Sequence, residues 1–397
     1  MKITDVRSKI IAVPFANWGK FEPVTMWYGT RYASIHPVFW IDTDEGITGI
    51  STIGYPDAEL NQQIVMRKIK PSLIGQDPFN VEKIAAQAIK IIPMYPSAVA
   101  AVDIALWDII GKACNKPLYK LWGGKIHDPV RVRYWMCTKS PEDMAVEAEK
   151  AVKERGWKAF KIKIGTDPET DLERVRLIRE AVGNDVELGF DINGGYNLST
   201  AIRILKKMAE YNPSHFEEPV PSAWPYDAGC LDNLADIRQE LGVPIEIHSH
   251  GLNNKEYVMA LIQKRAADIL HTNSCFIPGV MEGKRICGIA EAGGLIVTGQ
   301  SNCAELGPEN AFNLHWIAST PAFKGTNDSS THRLESPASD IITKPFKTTD
   351  GTLNVPEGPG LGVELDMEKV EQFHQYYIDG KYKDAPGISR SDPYLWN

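Results

Sequence analysis

A chain of 397 residues that is 43% hydrophobic and 24% charged can bury a large core and is too apolar to stay unfolded. A net charge of -8 leaves no basic excess for phosphates, which argues against nucleic acid as a partner. No apolar run approaches the ~18 residues of a membrane span, and the opening MKITDVRSKIIAVPF has no signal-peptide apolar core, so a cytoplasmic protein is expected.

The same opening alternates apolar and polar residues like a strand, and residues 1 to about 55 read as strands throughout. HPVFWIDTDEGITGIST (36–52) carries a turn at Asp44-Glu45-Gly46 between two β-rich runs, a hairpin pattern. Residues 56–115 read as helical. SAVAAVDIALWDIIGKAC (97–114) sets Val99, Val102, Ile104, Ala105, Ile109 and Ile110 at helical spacing, with Ser97 as the expected N-cap. KPLYKLWGGK (116–125) closes this α+β segment.

From about 130 to 345 short β-rich runs alternate with amphipathic helical stretches. The runs are VRVRYWMC (130–137), AFKIKIG (159–165), ELGFDING (187–194), HFEEP (215–219), VPIEIHSH (243–250), ADILHTN (267–273) and LIVTGQSN (295–302). Such alternation means βαβ units around a parallel sheet. Lys163, Asp191, Glu217, His250, Asn273 and Gln300 stand at the run ends, separated by 28, 26, 33, 23 and 27 residues. An eightfold barrel of ~250 residues gives ~31 residues per unit, so one polar residue per strand would point into one mouth. No GxGxxG marks a dinucleotide fold, and the units share no repeat consensus. The six cysteines, Cys114, Cys137, Cys230, Cys275, Cys287 and Cys303, lack CxxC spacing and read as free thiols. GTLNVPEGPGLGVELDMEKVEQF (351–373) leaves the pattern and is expected to return beside the N-terminal region.

Lys161 and Lys163 lie two apart in a strand, so both point to one face. Crowded together and desolvated, two ammonium groups should have pKa values drawn toward neutrality, which makes a lysine base feasible. Two edge lysines reaching solvent is the plainer alternative. Asp191 and Glu217, at successive strand ends, form an oxygen-rich site of the kind that suits magnesium. Asn193 shares the face of Asp191 and could orient a ligand. Asp and Asn at such ends also serve as helix caps.

KIKIG (161–165), DIN (191–193) and FEEP (216–219), in this order and spacing, resemble the enolase superfamily, in its mandelate racemase and muconate-lactonising branch. SAVAAVDIALWDIIGKACNKPLYKLWGG, GLIVTGQ and DGTLNVPEGPGLGVELD are similar to the same branch, so the resemblance spans essentially the whole chain. It implies a modified TIM barrel, (β/α)7β, under an α+β capping domain built from the N-terminal region and the C-terminal tail. The expected boundaries are 1–125 for the cap, 126–355 for the barrel and 356–397 for the returning segment. It also implies a carboxylate substrate held by Mg²⁺, whose α-proton is removed to give an enediolate. By this resemblance Asp191 and Glu217 match two metal ligands, Lys163 the base and Lys161 its neighbour. The dianionic intermediate of such a reaction needs concentrated positive charge, which a divalent cation and lysines supply.

Two departures from the family pattern matter. The third metal ligand is usually a Glu of a Gly-Glu pair, and here the strand reads VPIEIHSHG. Counting back from ADILHTN puts that position at His250, with Glu246 and His248 sharing its parity. A histidine ligand would bring Mn²⁺ or another divalent metal into play. The family's second base, on the opposite face, maps to Asn273 and Gln300, neither of which titrates; Glu305 and His271 are weaker substitutes. Asn193, His248, Asn273, Gln300, Glu305, Trp27 and Tyr28 are the expected substrate contacts, with Trp18, Lys20 and Arg31 in the same N-terminal stretch. One-face chemistry favours a dehydratase of a hydroxy or sugar acid, or a cycloisomerase. A racemase or epimerase is the alternative, and a non-catalytic acid-binding barrel a third. The expected partner is a small carboxylic acid, with no nucleic acid and no membrane, and the chain is expected to form a homo-oligomer.

Overall fold

The computed structural model describes residues 1–27, 29–221, 228–248, 255–299, 305–336, 338–380 and 382. The chain begins with an antiparallel three-stranded sheet of β1 (Ile3–Pro14), β2 (Ala33–Thr43) and β3 (Thr48–Thr52), in the order β1-β2-β3. The expected hairpin is present, with Gly46 at φ 76° turning β2 into β3. Helices α1 (Ala58–Ile64), α2 (Val81–Ile91) and α3 (Pro96–Ala113) follow. α3 is buried on almost every side, as its near-continuous apolar sequence requires. Gly49 lets it lie close to β3: a Cβ there would come within 2.0 Å of the Ala105 carbonyl oxygen. The expected cap at Ser97 is displaced. Pro96 occupies the first turn, where its fixed φ suits helix entry, and Ser97 instead donates to Asn61 Oδ1 at 2.7 Å.

Eight parallel strands then form a near-closed barrel: β4 (Val130–Met136), β5 (Ala159–Lys163), β6 (Glu187–Asp191), β7 (His215–Glu217), β8 (Ile245–His248), β9 (Ile269–Thr272), β10 (Ile296–Gly299) and β11 (Asn327–Ser329). They pair in chain order from β4 to β10, and β11 pairs back with β4. The intervening helices are α4 (Pro141–Arg155), α5 (Pro168–Val182), α6 (Leu198–Ala209), α7 (Ala228–Leu241), α8 (Lys255–Lys264), α9 (Val280–Ala292) and α10 (Gly307–Ala318). Seven strand-helix units and a last strand make (β/α)7β. Local signals start these helices: Ser140, Asp167 and Asn197 each accept the N–H three residues on, an N-cap contribution of about 1 kcal/mol apiece. Helix α11 (Met367–Ile378) returns to β1, where Lys9 pairs with Glu371 and His374 Nδ1 donates to the Ile10 carbonyl at 2.7 Å. No disulfide joins the described cysteines. Among the described residues no helix is long and apolar enough to cross a membrane.

The cap helix α3 meets the barrel at Asp103, whose carboxylate accepts the Val280 N–H at 2.9 Å and so caps α9. Burial pushes this carboxyl up to about 7. A folded-state pKa above the unfolded value of ~3.9 means that the folded chain binds the extra proton. The stability this group contributes is full below about pH 4 and is lost as pH rises through about 7. Asp103→Asn keeps an acceptor for Val280 without a charge. Its melting temperature should exceed that of the unsubstituted protein at pH 8 and approach it at pH 4.5. A gap of equal size at both pH values in thermal melts would refute this assignment.

Candidate active site

Inside the barrel, alternation along each strand selects the lining. β5 turns Lys161 and Lys163 inward, as the sequence predicts. On β6 the inward pair is Gly189 and Asp191, on β7 His215 and Glu217, on β8 Glu246 and His248. Gly189 is required by its neighbour: a Cβ there would stand 2.0 Å from the His215 ring. Asp191 registers with Lys163 and with Glu217, and Glu217 with Glu246.

These groups form one buried ionic network. Lys161 Nζ lies 2.7 Å from Glu217, 2.9 Å from Asp328 and 3.3 Å from Asp191. Lys163 Nζ donates to Asp191 and, at 3.0 Å, to Asn193 Oδ1. Below them Arg133 on β4 forks onto Glu246 with two bonds of 3.0 Å and reaches Asp328 on β11. His215 Nε2 is 2.7 Å from Glu246, and His271 lies 3.4 Å from both Glu246 and Asp328. The expectation that Lys161 is drawn toward neutrality fails. Burial pulls its ammonium down, but Asp328, Glu217 and Asp191 outweigh that and hold it well above the usual lysine range.

The carboxylates behave differently from one another. Burial opposes charge on Asp191, but Lys163 and Lys161 hold it well below the usual range. Glu217 goes the other way: burial and the neighbouring Asp191 raise it, and Lys161 offsets this only in part. Glu217 Oε2 makes no hydrogen bond of acceptable geometry, although Lys161 Nζ is 2.7 Å away. Four acidic side chains (Asp191, Glu217, Glu246, Asp328) thus meet three basic ones (Lys161, Lys163, Arg133), one fewer than the acids before either histidine is counted. The shortage is greatest where Asp191 and Glu217 converge on one ammonium group. Two oxygen donors converging on a cation position, one of them with an unbonded buried oxygen, fit a hard divalent metal.

His215, Glu217 and Glu246 also bring ligand atoms within 4.8 Å of one another. Glu246 is already engaged by Arg133 and His215, and the guanidinium stands 3.9 Å from Glu217, so a cation there would meet a fixed positive charge. His248 is buried at the end of β8, its ring centroid 4.6 Å from that of His271 and 4.9 Å from that of Phe276. His250, Gln300 and Tyr28 lie outside the described residues.

Opposite β5, four strands round the barrel, stands β9. The register runs from Lys163 through Asp191, Glu217 and Glu246 to Ile269. Register climbs by about one residue per strand in such a barrel, so the residue level with Lys163 across the mouth is Asn273. Its Oδ1 accepts from Cys275, while its buried Nδ2 has no hydrogen-bond partner among the described residues. His271 lies one step deeper, and burial pushes its imidazole down despite the carboxylates beside it. Glu305 is buried with Asn313 Nδ2 at 3.2 Å, rather than standing in solvent as a loop carboxylate. Trp27, 37% exposed, donates its indole N–H to the Asn193 carbonyl at 3.3 Å and so reaches the mouth. Trp18 does not; it is held between Lys150 and Arg155, 4.0 and 3.8 Å from its ring.

Arg133 and Asp328 were not among the sequence-derived candidates. The signal for Arg133 was its parity with Arg131 and Trp135 on one face of β4.

Residues 143–370 match the family model described as Enolase C-terminal domain-like, and residues 10–123 the model described as Mandelate racemase / muconate lactonizing enzyme, N-terminal domain. The N-succinyl-L-Arg/Lys racemase of Bacillus cereus is 29% identical over 389 residues, 94% of this chain and 98% of that protein. Its crystal structure aligns with a TM-score of 0.85 at 28% identity, covering 94% of this chain and 98% of that one. The arabinonate dehydratase of Saccharolobus solfataricus is 29% identical over 359 residues, 84% of this chain and 89% of that protein. The dipeptide epimerase from Enterococcus faecalis, in complex with Mg and the dipeptide L-Leu-L-Tyr, has a TM-score of 0.80 at 25% identity, covering 92% of this chain and 100% of that one.

Proposed function

The chain belongs to the mandelate racemase and muconate-lactonizing branch of the enolase superfamily, and from that premise we propose that it removes the α-proton of a metal-held carboxylic acid with Lys163 and eliminates water from a hydroxy or sugar acid. In this reading Asp191, Glu217 and His248 hold a divalent metal, Mg²⁺ or Mn²⁺. His248 is preferred to Glu246 because Glu246 is engaged by Arg133 and His215. A bound divalent cation would supply the positive charge that a carboxylate needs while its α-carbon is deprotonated.

Every other role falls to the chain's own residues. Lys163 accepts a proton only as the neutral amine, and Asp191 is the carboxylate that holds its proton in place. Lys163 then takes the Cα proton, the C–O bond at Cβ breaks, and the new Lys163 ammonium gives its proton to the departing hydroxyl. The products are water and an enol, which tautomerises to a 2-keto acid. One base thus serves both halves of a syn elimination.

The observation that carries this reading is Asn273. The side chain level with Lys163 on the far strand is an amide, which cannot serve as a base, so at that level of the described site Lys163 has no opposing base. Cycloisomerisation would use the same single base. Racemisation or epimerisation is the second reading, favoured by the similarity to the Bacillus cereus racemase along 94% of this chain.

The test uses arabinonate and both enantiomers of N-succinylarginine as probes, each with Mg²⁺ in D₂O, followed by proton NMR. A 2-keto acid from arabinonate, with one-face deuterium incorporation, is the expected result. Washout from both enantiomers of the succinylated amino acid would put the racemase reading first. No exchange into either acid, with a metal bound, would support an acid-binding barrel.

A further inference from the structure

We propose that Glu218, the residue after the metal-side Glu217, is a positioning residue that acts through Asn193 on Lys163. The inference rests on the reading of Lys163 as the base.

Asn193 sits between two groups of opposite hydrogen-bonding character. Its Oδ1 accepts from Lys163 Nζ at 3.0 Å, and its Nδ2 donates to Glu218 Oε2 at 3.4 Å. An ammonium can only donate and a carboxylate can only accept. The two neighbours therefore admit one orientation of the amide, with its oxygen toward Lys163. Without the carboxylate the amide could turn over and present NH₂ to the lysine. The backbone adds to this coupling: Gly194 N–H donates to the Glu218 carbonyl at 2.8 Å, and Asn193 N–H donates to Asp191 Oδ1 at 2.9 Å.

Both residues hold backbone conformations that side chains disfavour, Asn193 at φ 49° and Glu218 at φ 43°. Asn tolerates this region; Glu does not, and strain of this kind persists where the surroundings or the function demand it. Glu218 is also buried, 3% exposed, at the rim of a site already rich in carboxylates. Glycine would suit its backbone better. A Glu there is explained by a task for its carboxylate, and one contact that the geometry offers it is the Asn193 amide.

The test compares Glu218→Gly, Glu218→Gln, Asn193→Ala, the double variant Glu218→Gly/Asn193→Ala and Lys163→Ala, all as full-length protein with Mg²⁺. Glu218→Gly relieves the strained backbone, so its melting temperature should equal or exceed that of the unsubstituted protein. Its exchange turnover should nevertheless fall roughly tenfold or more, the usual loss when an outer-sphere partner goes, with KM and Mg²⁺ affinity unchanged. Glu218→Gln retains an acceptor oxygen and should recover part of the loss. The double variant should be no slower than Asn193→Ala, because the effect passes through that amide. A readout without substrate uses nitrogen-15 asparagine labelling: the Asn193 side-chain amide resonance, identified by its loss in Asn193→Ala, should move in Glu218→Gly. Unchanged exchange and an unmoved resonance in Glu218→Gly, with exchange lost in Lys163→Ala, would overturn this inference alone. Exchange retained in Lys163→Ala would overturn the assignment of the base instead.

Discussion

Lys163→Ala should abolish solvent exchange of the α-proton, lowering it by at least the ~10²–10⁴-fold that a positioned general base contributes. Lys163→Arg should give the same loss. Arginine keeps the positive charge and a similar reach, but a guanidinium does not deprotonate in a protein, so it cannot accept the proton. This second variant separates two roles that alanine alone confuses. A lysine that merely anchors the substrate carboxylate would be replaced in part by arginine, with KM affected more than turnover. A lysine that takes the proton is not replaced at all. The fold should survive both changes, because Lys161 remains 3.3 Å from Asp191 as a counter-charge. Near-native exchange in Lys163→Arg, measured by NMR on whichever probe acid the unsubstituted protein exchanges, would remove Lys163 from the role of base.

How much of this site could be read from the sequence depends on how local each signal is. The parity of KIK in β5 and the strand-end positions of Asp191 and Glu217 are local, and the structure places all four inward-facing groups as the alternation predicts. The raised lysine was not local. Crowding between Lys161 and Lys163 was visible, but Asp328, which with Glu217 and Asp191 reverses the shift of Lys161, stands 167 residues away on β11. That strand itself escaped notice: Asn327, Asp328 and Ser329 are three polar residues with no β-branched or aromatic run to mark them. The third ligand was ambiguous for a related reason. VPIEIHSH offers Glu246, His248 and His250 at one parity, and only the pairing of Glu246 with Arg133, 113 residues distant, shows that its carboxylate is taken. The Ser97 cap failed locally, because a proline one residue earlier is the stronger entry signal.

Removing either mouth carboxylate should abolish tight divalent-metal binding, yet the two changes should affect the metal-free protein in opposite ways. In Asp191→Asn and in Glu217→Gln, Mg²⁺ affinity by calorimetry should fall by more than the roughly 10–100-fold that loss of an outer-sphere partner costs. The rise in melting temperature on adding Mg²⁺ should disappear with it, since that rise reflects binding to the folded state alone. Without metal, Asp191 is the counter-ion that Lys163 and Lys161 share, and its charge is favourable where it stands. Asp191→Asn should therefore lower the metal-free melting temperature. Burial and the adjacent Asp191 make charge on Glu217 unfavourable in the same protein. Glu217→Gln should leave the metal-free melting temperature unchanged or raise it at pH 8, because the substitution removes a charge that the site holds only against burial and repulsion. The histidines complete the comparison: His248→Ala should weaken Mg²⁺ binding more than His250→Ala. The reverse order would move the third ligand one inward position further along the chain. Stoichiometric metal retained in both carboxylate variants would remove the metal centre from this mouth altogether.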